Sequence, residues 1–358
     1  MDIYHKLRLK FNSHPIGAPD LPEVYEIYKM LFTPEEASIV LVIPFSPKPV
    51  EAIAKDAGLT ISQAIYLCEK LADKGLVSTH HQGDNKIYML LPMMPGIFEY
   101  PFMKIRKLDL DYERLAKLWN DYYIKGFGQE VHGGKTSMTR VIPVQQAIES
   151  VQGVLPFEEA SYYINTAELL SVGLCSCRIA AKKCKNPVET CFAFGGAARY
   201  LVERGMGRFI DKEEALKILE QTEKAGLVHM VSNTSEKIGM MCNCCSCCCV
   251  NLGYTKIKGA LSHPFSNFYA SPKPELCNLC GICESKCPVK AIKINDSLYI
   301  DANQCIGCGL CSSACPAGAI DFKRKDKVLT PPAKAKDLAI IVAKEKGRLN
   351  EFLDNIKT

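Results

Sequence analysis

The sequence predicts an α+β protein built from several domains. Its 358 residues are 47% hydrophobic, which is enough to form two or three packed cores. Helical apolar periodicity, followed by two short apolar runs around a polar turn, marks the first part of the chain. Nineteen cysteines are the unusual feature, and most of them lie in two blocks, residues 175–249 and 277–315. We therefore expect a helical start, a cysteine-rich middle and a cysteine-rich end.

Composition narrows the class of protein. The net charge of +5 is mild; it suits a docking face for an acidic partner and falls short of a nucleic-acid signature by itself. The first residues lack the apolar core of a secretory signal, and the longest apolar runs, 39–43 and 338–343, are too short to span a bilayer. A long, core-rich chain is not a disulfide scaffold. We expect a cytoplasmic protein in a reducing, anaerobic setting.

Residues 1–105 predict one helical domain with a polar lead-in over residues 1–30. Apolar residues recur at helical spacing over 50–57, and Gly58 supplies the stop. Thr60 and Gln63 form a capping box that opens a second helix, with Cys68 on its buried face as a small core residue. Two short strands, 77–80 and 86–91, follow around a turn at 82–85.

The order helix, turn, helix and two-stranded wing resembles a winged-helix domain, within residues 31–95. A DNA-binding regulator is the usual function that this resemblance implies. The second helix offers few groups that could read a groove, and no arginine lies between Leu31 and Tyr100. We therefore expect a structural or partner-docking role rather than DNA binding. The groove-facing residues are Ser62, Gln63, Tyr66 and Glu69, with Lys70 and Lys74 near the end of the helix.

Residues 106–255 predict a mixed cysteine-rich domain. Residues 110–123 form an amphipathic helix with the single tryptophan, Trp119, in the core. The run 133–136 lacks the glycine spacing of a phosphate-binding loop, and His132 beside it is expected at the surface. Asp211 caps a further helix, which a short strand follows.

Ten cysteines of this middle domain are predicted metal ligands. They form a C-x-C-x6-C-x6-C run and then six cysteines within eight residues, a density that would oxidise unless a metal held the thiols. Neighbouring cysteines point in different directions, so the six cannot all serve one cluster. The sequence leaves open two further four-ligand clusters, one cluster plus a zinc ion, or a cluster of unusual shape; we expect at least one additional iron–sulfur cluster. Arg178 would be either a positive charge for a reduced cluster or a surface residue. The ten residues are Cys175, Cys177, Cys184, Cys191, Cys242, Cys244, Cys245, Cys247, Cys248 and Cys249.

Residues 256–326 contain the most specific motif of the chain. The pattern C-x2-C-x2-C-x3-C-P occurs twice, beginning at Cys277 and at Cys305. The repeated pattern closely resembles that of bacterial-type dicluster ferredoxins, which implies two 4Fe–4S clusters rather than structural zinc. In that family the fourth cysteine of each run reaches the neighbouring cluster. The resemblance therefore implies one set with Cys277, Cys280, Cys283 and Cys315, and another with Cys305, Cys308, Cys311 and Cys287.

Smaller features complete this region and the tail. Gly281 and Gly309 let each cysteine loop approach its cluster closely. Residues 256–276 are expected to be a linker, and residues 291–300 a hairpin. The last segment, 327–358, predicts one amphipathic helix over 337–356 that packs back on the protein.

These patterns favour an iron–sulfur protein that relays single electrons to or from a partner oxidoreductase or flavoprotein. We find no acid–base pair, nucleophile or nucleotide fingerprint, and we assign no catalytic residue. Two alternatives remain open at this level. One is a redox-sensing winged-helix transcriptional regulator, and the other is an enzyme with an open-site cluster in the middle domain.

Overall fold

The computed structural model describes residues 1–82, 85–149 and 151–356. The structure is mixed α+β, as the sequence predicts, with four separate sheets in the described residues. Within the same residues, no helix has both the length and the apolar character needed to span a membrane.

The first thirty residues contribute to the core, contrary to the expectation of a polar lead-in. They form α1 (Ile3–Asn12) and α2 (Pro22–Leu31). Phe11 and Tyr28 are fully buried and stack on each other with ring centroids 5.4 Å apart. The prolines that suggested irregular chain lie between the helices or, like Pro22, at the first helical position, where proline is tolerated.

The next elements follow the predicted order of helices and strands. Thr60 and Gln63 form the expected capping box at the start of α5, and Gly58 ends α4 in the left-handed conformation at φ 67°. The three strands form an antiparallel sheet in the order β1-β3-β2. Gly83 and Asp84 of the predicted turn lie outside the described residues. The elements are α3 (Pro34–Val40), β1 (Lys48–Pro49), α4 (Val50–Ala57), α5 (Ile61–Asp73), β2 (Val77–Gln82) and β3 (Asn85–Leu90).

A helical segment joins this unit to the middle of the chain. It contains α6 (Tyr100–Met103), α7 (Tyr112–Tyr122) and α8 (Gly128–His132). Trp119 on α7 is 2% exposed, so its predicted place in the core is confirmed.

The middle of the chain forms a six-stranded antiparallel sheet in the order β4-β8-β9-β6-β5-β7. Asp211 caps α13 by accepting from the Glu214 N–H at 2.7 Å, as the sequence predicts. The strands are β4 (Thr139–Ile142), β5 (Leu170–Leu174), β6 (Glu189–Phe194), β7 (Gly207–Phe209), β8 (Val228–Ser232) and β9 (Met240–Cys244). The helices are α9 (Gln145–Ile148), α10 (Ala160–Thr166), α11 (Ser176–Ala181), α12 (Gly196–Glu203) and α13 (Lys212–Lys224).

The second cysteine block forms a small module of two two-stranded sheets and two short helices. The predicted hairpin is present as β11 paired with β12. The expected linker is wrong in part, because residues 268–272 form β10, which pairs with β13. The elements are β10 (Phe268–Pro272), α14 (Ile282–Lys286), β11 (Ile292–Ile294), β12 (Leu298–Ile300), α15 (Leu310–Ser313) and β13 (Ile320–Arg324).

The tail forms two helices where the sequence predicts one, α16 (Ala335–Glu345) and α17 (Leu349–Asp354). Gly347 separates them with φ 69°, a conformation that favours glycine. The tail packs back on the protein as expected, since Lys346 and Arg348 both bind Glu130, at 2.9 and 2.6 Å.

Candidate metal centres

Seven of the eight cysteines of residues 277–315 pack around shared apolar groups, and we divide the eight into the two sets that the sequence predicts. In the first set, Cys283 lies beside Cys277 and Cys315. Burial together with the charges of Cys315 and Cys277 raises the pKa of the Cys283 thiol. Cys283 is buried, whereas Cys280 is exposed. This set, which we call the exposed set, therefore lies at the surface of the module.

The second set consists of Cys287, Cys305, Cys308 and Cys311, and we call it the buried set. These four residues line one cavity together with Val289 and Ile306. Burial, together with neighbouring Cys305 and Cys287, raises the pKa of the Cys308 thiol to about 12. Four thiols around an apolar cavity are the donors that a 4Fe–4S cluster requires.

Backbone groups support both sets. The Ala291 N–H donates to Cys287 Sγ at 3.2 Å, and the Ala319 N–H donates to Cys315 Sγ at 3.3 Å. Both bonds reach the last cysteine of a run, so the two runs are stabilised in the same way. Such N–H donors stabilise negative charge on sulfur and help to set a cluster's potential. The residues present therefore fit the clusters that the cysteine spacing implies, while the assignment of each ligand stays a prediction.

The glycines of the two loops differ in their surroundings. Gly281 and Gly309 begin α14 and α15 in the left-handed conformation, at φ 77° and 78°. A Cβ on Gly281 would meet open space, whereas a Cβ on Gly309 would lie 2.5 Å from the Ala147 Cβ. The loop of the buried set is therefore packed directly on α9 of the middle region.

The ten middle cysteines separate into two groups, a division that the sequence left open. Four of them form a compact group in which every sulfur lies within 4.8 Å of every other. We call this group the tetrathiol site. It is formed by Cys184, Cys245, Cys247 and Cys248.

The other six cysteines border a cavity of about 250 Å³, and we call this arrangement the six-thiol chamber; Cys245 of the tetrathiol site also reaches the wall of this cavity. Cys175 precedes α11 and Cys177 lies on it, Cys191 is on β6, and the rest are on or just after β9. The sheet thus brings together thiols that are far apart in sequence. The six residues are Cys175, Cys177, Cys191, Cys242, Cys244 and Cys249.

Thiols of the chamber influence one another strongly. Hydrogen bonds from Cys191 and Cys244 hold the pKa of Cys242 well below its usual value. Hydrogen bonds from Cys177 and Cys244 do the same for Cys249. The chamber can therefore carry thiolate charge despite its burial, and thiolates are the form of cysteine that binds metals.

Arg178 supplies the positive charge between the two groups of thiols. It is 4% exposed, so the alternative of a surface arginine is wrong. Its guanidinium donates to the Asn243 carbonyl at 2.8 Å and to Cys245 Sγ at 3.8 Å, and it also binds the Thr190 hydroxyl. No carboxylate forms an ion pair with it in residues 1–82, 85–149 and 151–356. Nearby Cys175 and Cys245 raise the pKa of the Arg178 guanidinium despite its burial, so cysteine sulfurs are the groups placed to balance its charge.

Glu99 and His132 also border the chamber, and the sequence analysis predicted neither as a site residue. Glu99 accepts the Gly96 N–H at 2.7 Å, and burial together with nearby Cys242 and Cys249 raises its pKa to about 8. His132 was expected at the surface but is 3% exposed, with its Nε2 3.1 Å from the Tyr123 hydroxyl. Burial lowers the pKa of His132 to about 4. Only the tertiary fold identifies these residues, since neither stands in a local motif.

The buried set and the six-thiol chamber share one apolar core. That core contains Cys308 together with Cys244 and Cys249, and Cys242 packs against its edge. The Val144 N–H, just before α9, donates to the Cys308 carbonyl at 3.0 Å. The second loop of the cysteine module is thus joined to the middle region by both packing and hydrogen bonding.

Fold and site together define an iron–sulfur protein with a ferredoxin-like module. Residues 276–319 match the family of the 4Fe-4S dicluster domain. The match covers the two cysteine runs and the hairpin between them, so 4Fe–4S binding by this part of the chain is supported by both sequence and geometry. The tetrathiol site adds a second kind of candidate metal centre outside the matched residues.

Proposed function

We propose that the protein transfers single electrons to or from a partner oxidoreductase or flavoprotein, in the cytoplasm, by means of three iron–sulfur clusters. Two are the 4Fe–4S clusters of residues 276–319, and the third is held in the six-thiol chamber. When bound, such clusters supply reversible one-electron exchange, often at low potential.

The proposed ligands follow the two sets and the chamber. Cys277, Cys280, Cys283 and Cys315 would hold one cluster, and Cys287, Cys305, Cys308 and Cys311 the other. The crosswise assignment is supported by the neighbours of Cys283 and Cys308, which in each case include the last cysteine of the opposite run. In the chamber, four or more of the six thiols would act as ligands, and Arg178 would balance their charge.

The observation that carries this proposal is the shared apolar core of the buried set and the chamber. Cys308 of the ferredoxin-like module and Cys244 and Cys249 of the chamber belong to the same buried cluster of side chains. A low-dielectric, closely packed connection excludes water from the space between two redox sites. An isolated ferredoxin module would not need to bury one of its cysteine loops against a second group of thiols.

The opposite end of the module supports exchange with a partner. Around the exposed set, Leu276, Leu279 and Ile282 are 49%, 46% and 39% exposed. Cys280 is also exposed. Apolar side chains rarely remain at the surface next to one another without a binding function. The exposed set therefore faces the partner, and the buried set faces the chamber.

The cavity of the chamber favours a cluster over a substrate site. Its volume of about 250 Å³ lies below the roughly 300–1,000 Å³ of typical small-molecule pockets. Seven cysteines border it, the six of the chamber and Cys245, so a metal cluster would occupy much of the space. An enzymatic reaction at an open-site cluster stays a prediction of the sequence that no described contact favours.

Three of the groove-facing residues of the winged-helix-like unit, Glu69, Lys70 and Lys74, pair with other residues of the chain. Lys70 and Lys74 bind the buried Glu36, at 3.2 and 2.7 Å. Glu69 accepts from Tyr88 and pairs with Arg204, which follows α12 of the middle region. The winged-helix assignment is supported by the order of its elements and sheet, but this face contacts the rest of the chain. We infer a structural or docking role for residues 31–95 rather than DNA reading.

The experiment is a determination of iron and acid-labile sulfide in anaerobically purified full-length protein. Three four-iron clusters predict about twelve irons per chain, whereas the ferredoxin-like module alone predicts about eight. Redox titration monitored by EPR should then show low-potential signals from more than two centres.

A double variant, Cys191→Ser with Cys242→Ser, should remove about four irons and leave the signals of the ferredoxin-like module. Cys68→Ser is the matched control, because Cys68 is a buried core cysteine of α5 that belongs to neither group of thiols. Eight irons in the wild-type protein, or equal iron loss in the control, would remove the third cluster from the proposal. Absence of any EPR signal on reduction would overturn electron transfer itself.

A further inference from the structure

Three sulfur–sulfur distances in the tetrathiol site are nearly equal. Cys184 Sγ lies 3.8 Å from both Cys245 Sγ and Cys248 Sγ, and Cys247 Sγ lies 3.7 Å from Cys248 Sγ. All four sulfurs lie within 4.8 Å of one another. Disulfide sulfurs would be about 2.0 Å apart, so these thiols are unbonded.

This spacing matches one tetrahedral metal ion. Zinc–sulfur bonds of about 2.3 Å in a tetrahedron place neighbouring sulfurs about 3.8 Å apart. In a 4Fe–4S cluster each thiolate binds a different iron, so the ligand sulfurs stand farther apart than around one ion. The compact spacing of these four sulfurs therefore favours a single ion over a cubane cluster.

Surrounding groups are arranged for a charged sulfur site. Backbone groups of Asn186 and Lys183 act on the sulfurs of Cys184 and Cys248, respectively, in the direction that lowers the pKa of a thiol. Arg178, which is buried, donates to Cys245 Sγ, and its Nε has no hydrogen-bond partner among the described residues. Four thiolates on a divalent ion leave a net negative charge, and these donors are positioned to balance it.

We propose that Cys184, Cys245, Cys247 and Cys248 bind one structural zinc ion, separate from the iron–sulfur clusters. A closed site with four protein ligands is typical of structural zinc, which takes no part in electron transfer. The ion joins the segment between α11 and β6 to the turn after β9. Cys177 and Cys249 lie on the same two parts of the chain, so zinc fixes two walls of the six-thiol chamber.

Zinc analysis of the full-length protein, purified without oxygen and without added zinc, provides the test. We expect one zinc per chain and, at the zinc absorption edge, four sulfur ligands at about 2.3 Å. Because tetrahedral tetrathiolate sites also accept iron, the same sample is measured at the iron edge. No zinc, or zinc bound by oxygen or nitrogen, overturns the proposal whatever the number of clusters.

Variants assign the ion to these residues. Cys184→Ser should lower zinc at least tenfold while iron, sulfide and the EPR signals of the ferredoxin-like module persist. Cys68→Ser should retain both metals. If Cys184→Ser does not fold, cobalt substitution of the wild-type protein replaces it. Tetrathiolate absorption supports the site, and its absence counts against it. Because this readout is zinc and the readout for electron transfer is iron and EPR, the two proposals fail independently.

Discussion

The two cysteine-rich regions of this protein bring their thiols together in different ways. In the ferredoxin-like module, three cysteines of each predicted set lie within seven residues of the chain. Gly281 and Gly309 lie in these loops, at the starts of α14 and α15. In the middle region, the six-thiol chamber collects cysteines from α11, β6 and β9, which are separated by as many as 74 residues between Cys175 and Cys249. The grouping of thiols in the ferredoxin-like module follows from the local spacing of cysteines in the sequence. In the middle region the grouping depends on how the strands of the sheet are arranged.

The two regions also differ in the groups that donate hydrogen bonds to their sulfurs. The module supports its sulfurs with nearby backbone groups, Ala291 N–H to Cys287 and Ala319 N–H to Cys315. The middle region uses one buried guanidinium, that of Arg178, which also ties α11 to β6 and β9. A backbone N–H donor is kept when most residues are substituted, whereas a single substitution can remove a side-chain donor. The middle region should therefore be the more sensitive to single changes away from its cysteines.

The largest effect is expected from removing a thiol of the buried set. Cys308→Ser should lower iron by about four per chain and destabilise the whole protein, because Cys308 belongs to the core shared with the chamber. Cys280→Ser changes an exposed thiol and should affect one cluster without loss of the fold. Iron content and thermal unfolding, both measured anaerobically, compare the two. Equal unfolding temperatures for the two variants would contradict the distinction between the exposed and buried sets.

A second large effect is expected at Arg178. Arg178→Gln leaves buried thiolates without their cation and should reduce the free energy of unfolding by about 3 kcal/mol. The loss of positive charge should also lower the reduction potential of the middle centre, while the ferredoxin-like signals keep theirs. Chemical denaturation and redox titration measure these effects, with Arg178→Lys as the charge-preserving control. If Arg178→Gln shifts all potentials alike, the charge does not act on the middle region in particular.

Alanine at the two loop glycines tests the junction between the regions. Gly281→Ala should cost about 1 kcal/mol of stability, since the left-handed conformation is strained for alanine but the Cβ meets open space. Gly309→Ala should cost about 2 kcal/mol more, because its Cβ would also overlap Ala147 on α9. Denaturant unfolding of the two variants gives the difference directly. Similar losses at both positions would mean that α9 yields to the added methyl group.

A further effect concerns acid stability, in which the two regions should differ because residues 276–319 contain no histidine. Burial, together with Lys346 and Arg348, lowers the pKa of His14 to about 3, although Glu130 opposes the shift. The unfolded chain therefore takes up this proton first. The stabilising effect is complete above pH 6.5 and is lost as the pH falls toward 3.

His14→Gln should remove this dependence. Between pH 6.5 and 5, the wild-type protein should lose about 2 kcal/mol more unfolding free energy than the variant. Parallel pH curves would show that His14 is not held neutral in the folded state. His14 also lines the six-thiol chamber, and Phe45 and Phe352 lie against its ring.

The sequence by itself determined the features whose signals are local. The doubled cysteine pattern predicted the dicluster module that the family match supports, and the Thr60 and Asp211 caps placed two helix starts correctly. A capping residue and its partner are three positions apart, and a cluster loop closes over a few residues. Short-range chemistry of this kind is readable from the order of residues alone.

Only the tertiary structure decided how the ten middle cysteines divide and where the buried charges lie. Cys245 and Cys244 are adjacent in sequence but belong to different groups, because neighbouring side chains at the end of β9 point in different directions. The sequence predicted His132 at the surface and left the place of Arg178 open, whereas long-range packing buries both. Their surroundings are formed by parts of the chain far away in sequence, which no local pattern records.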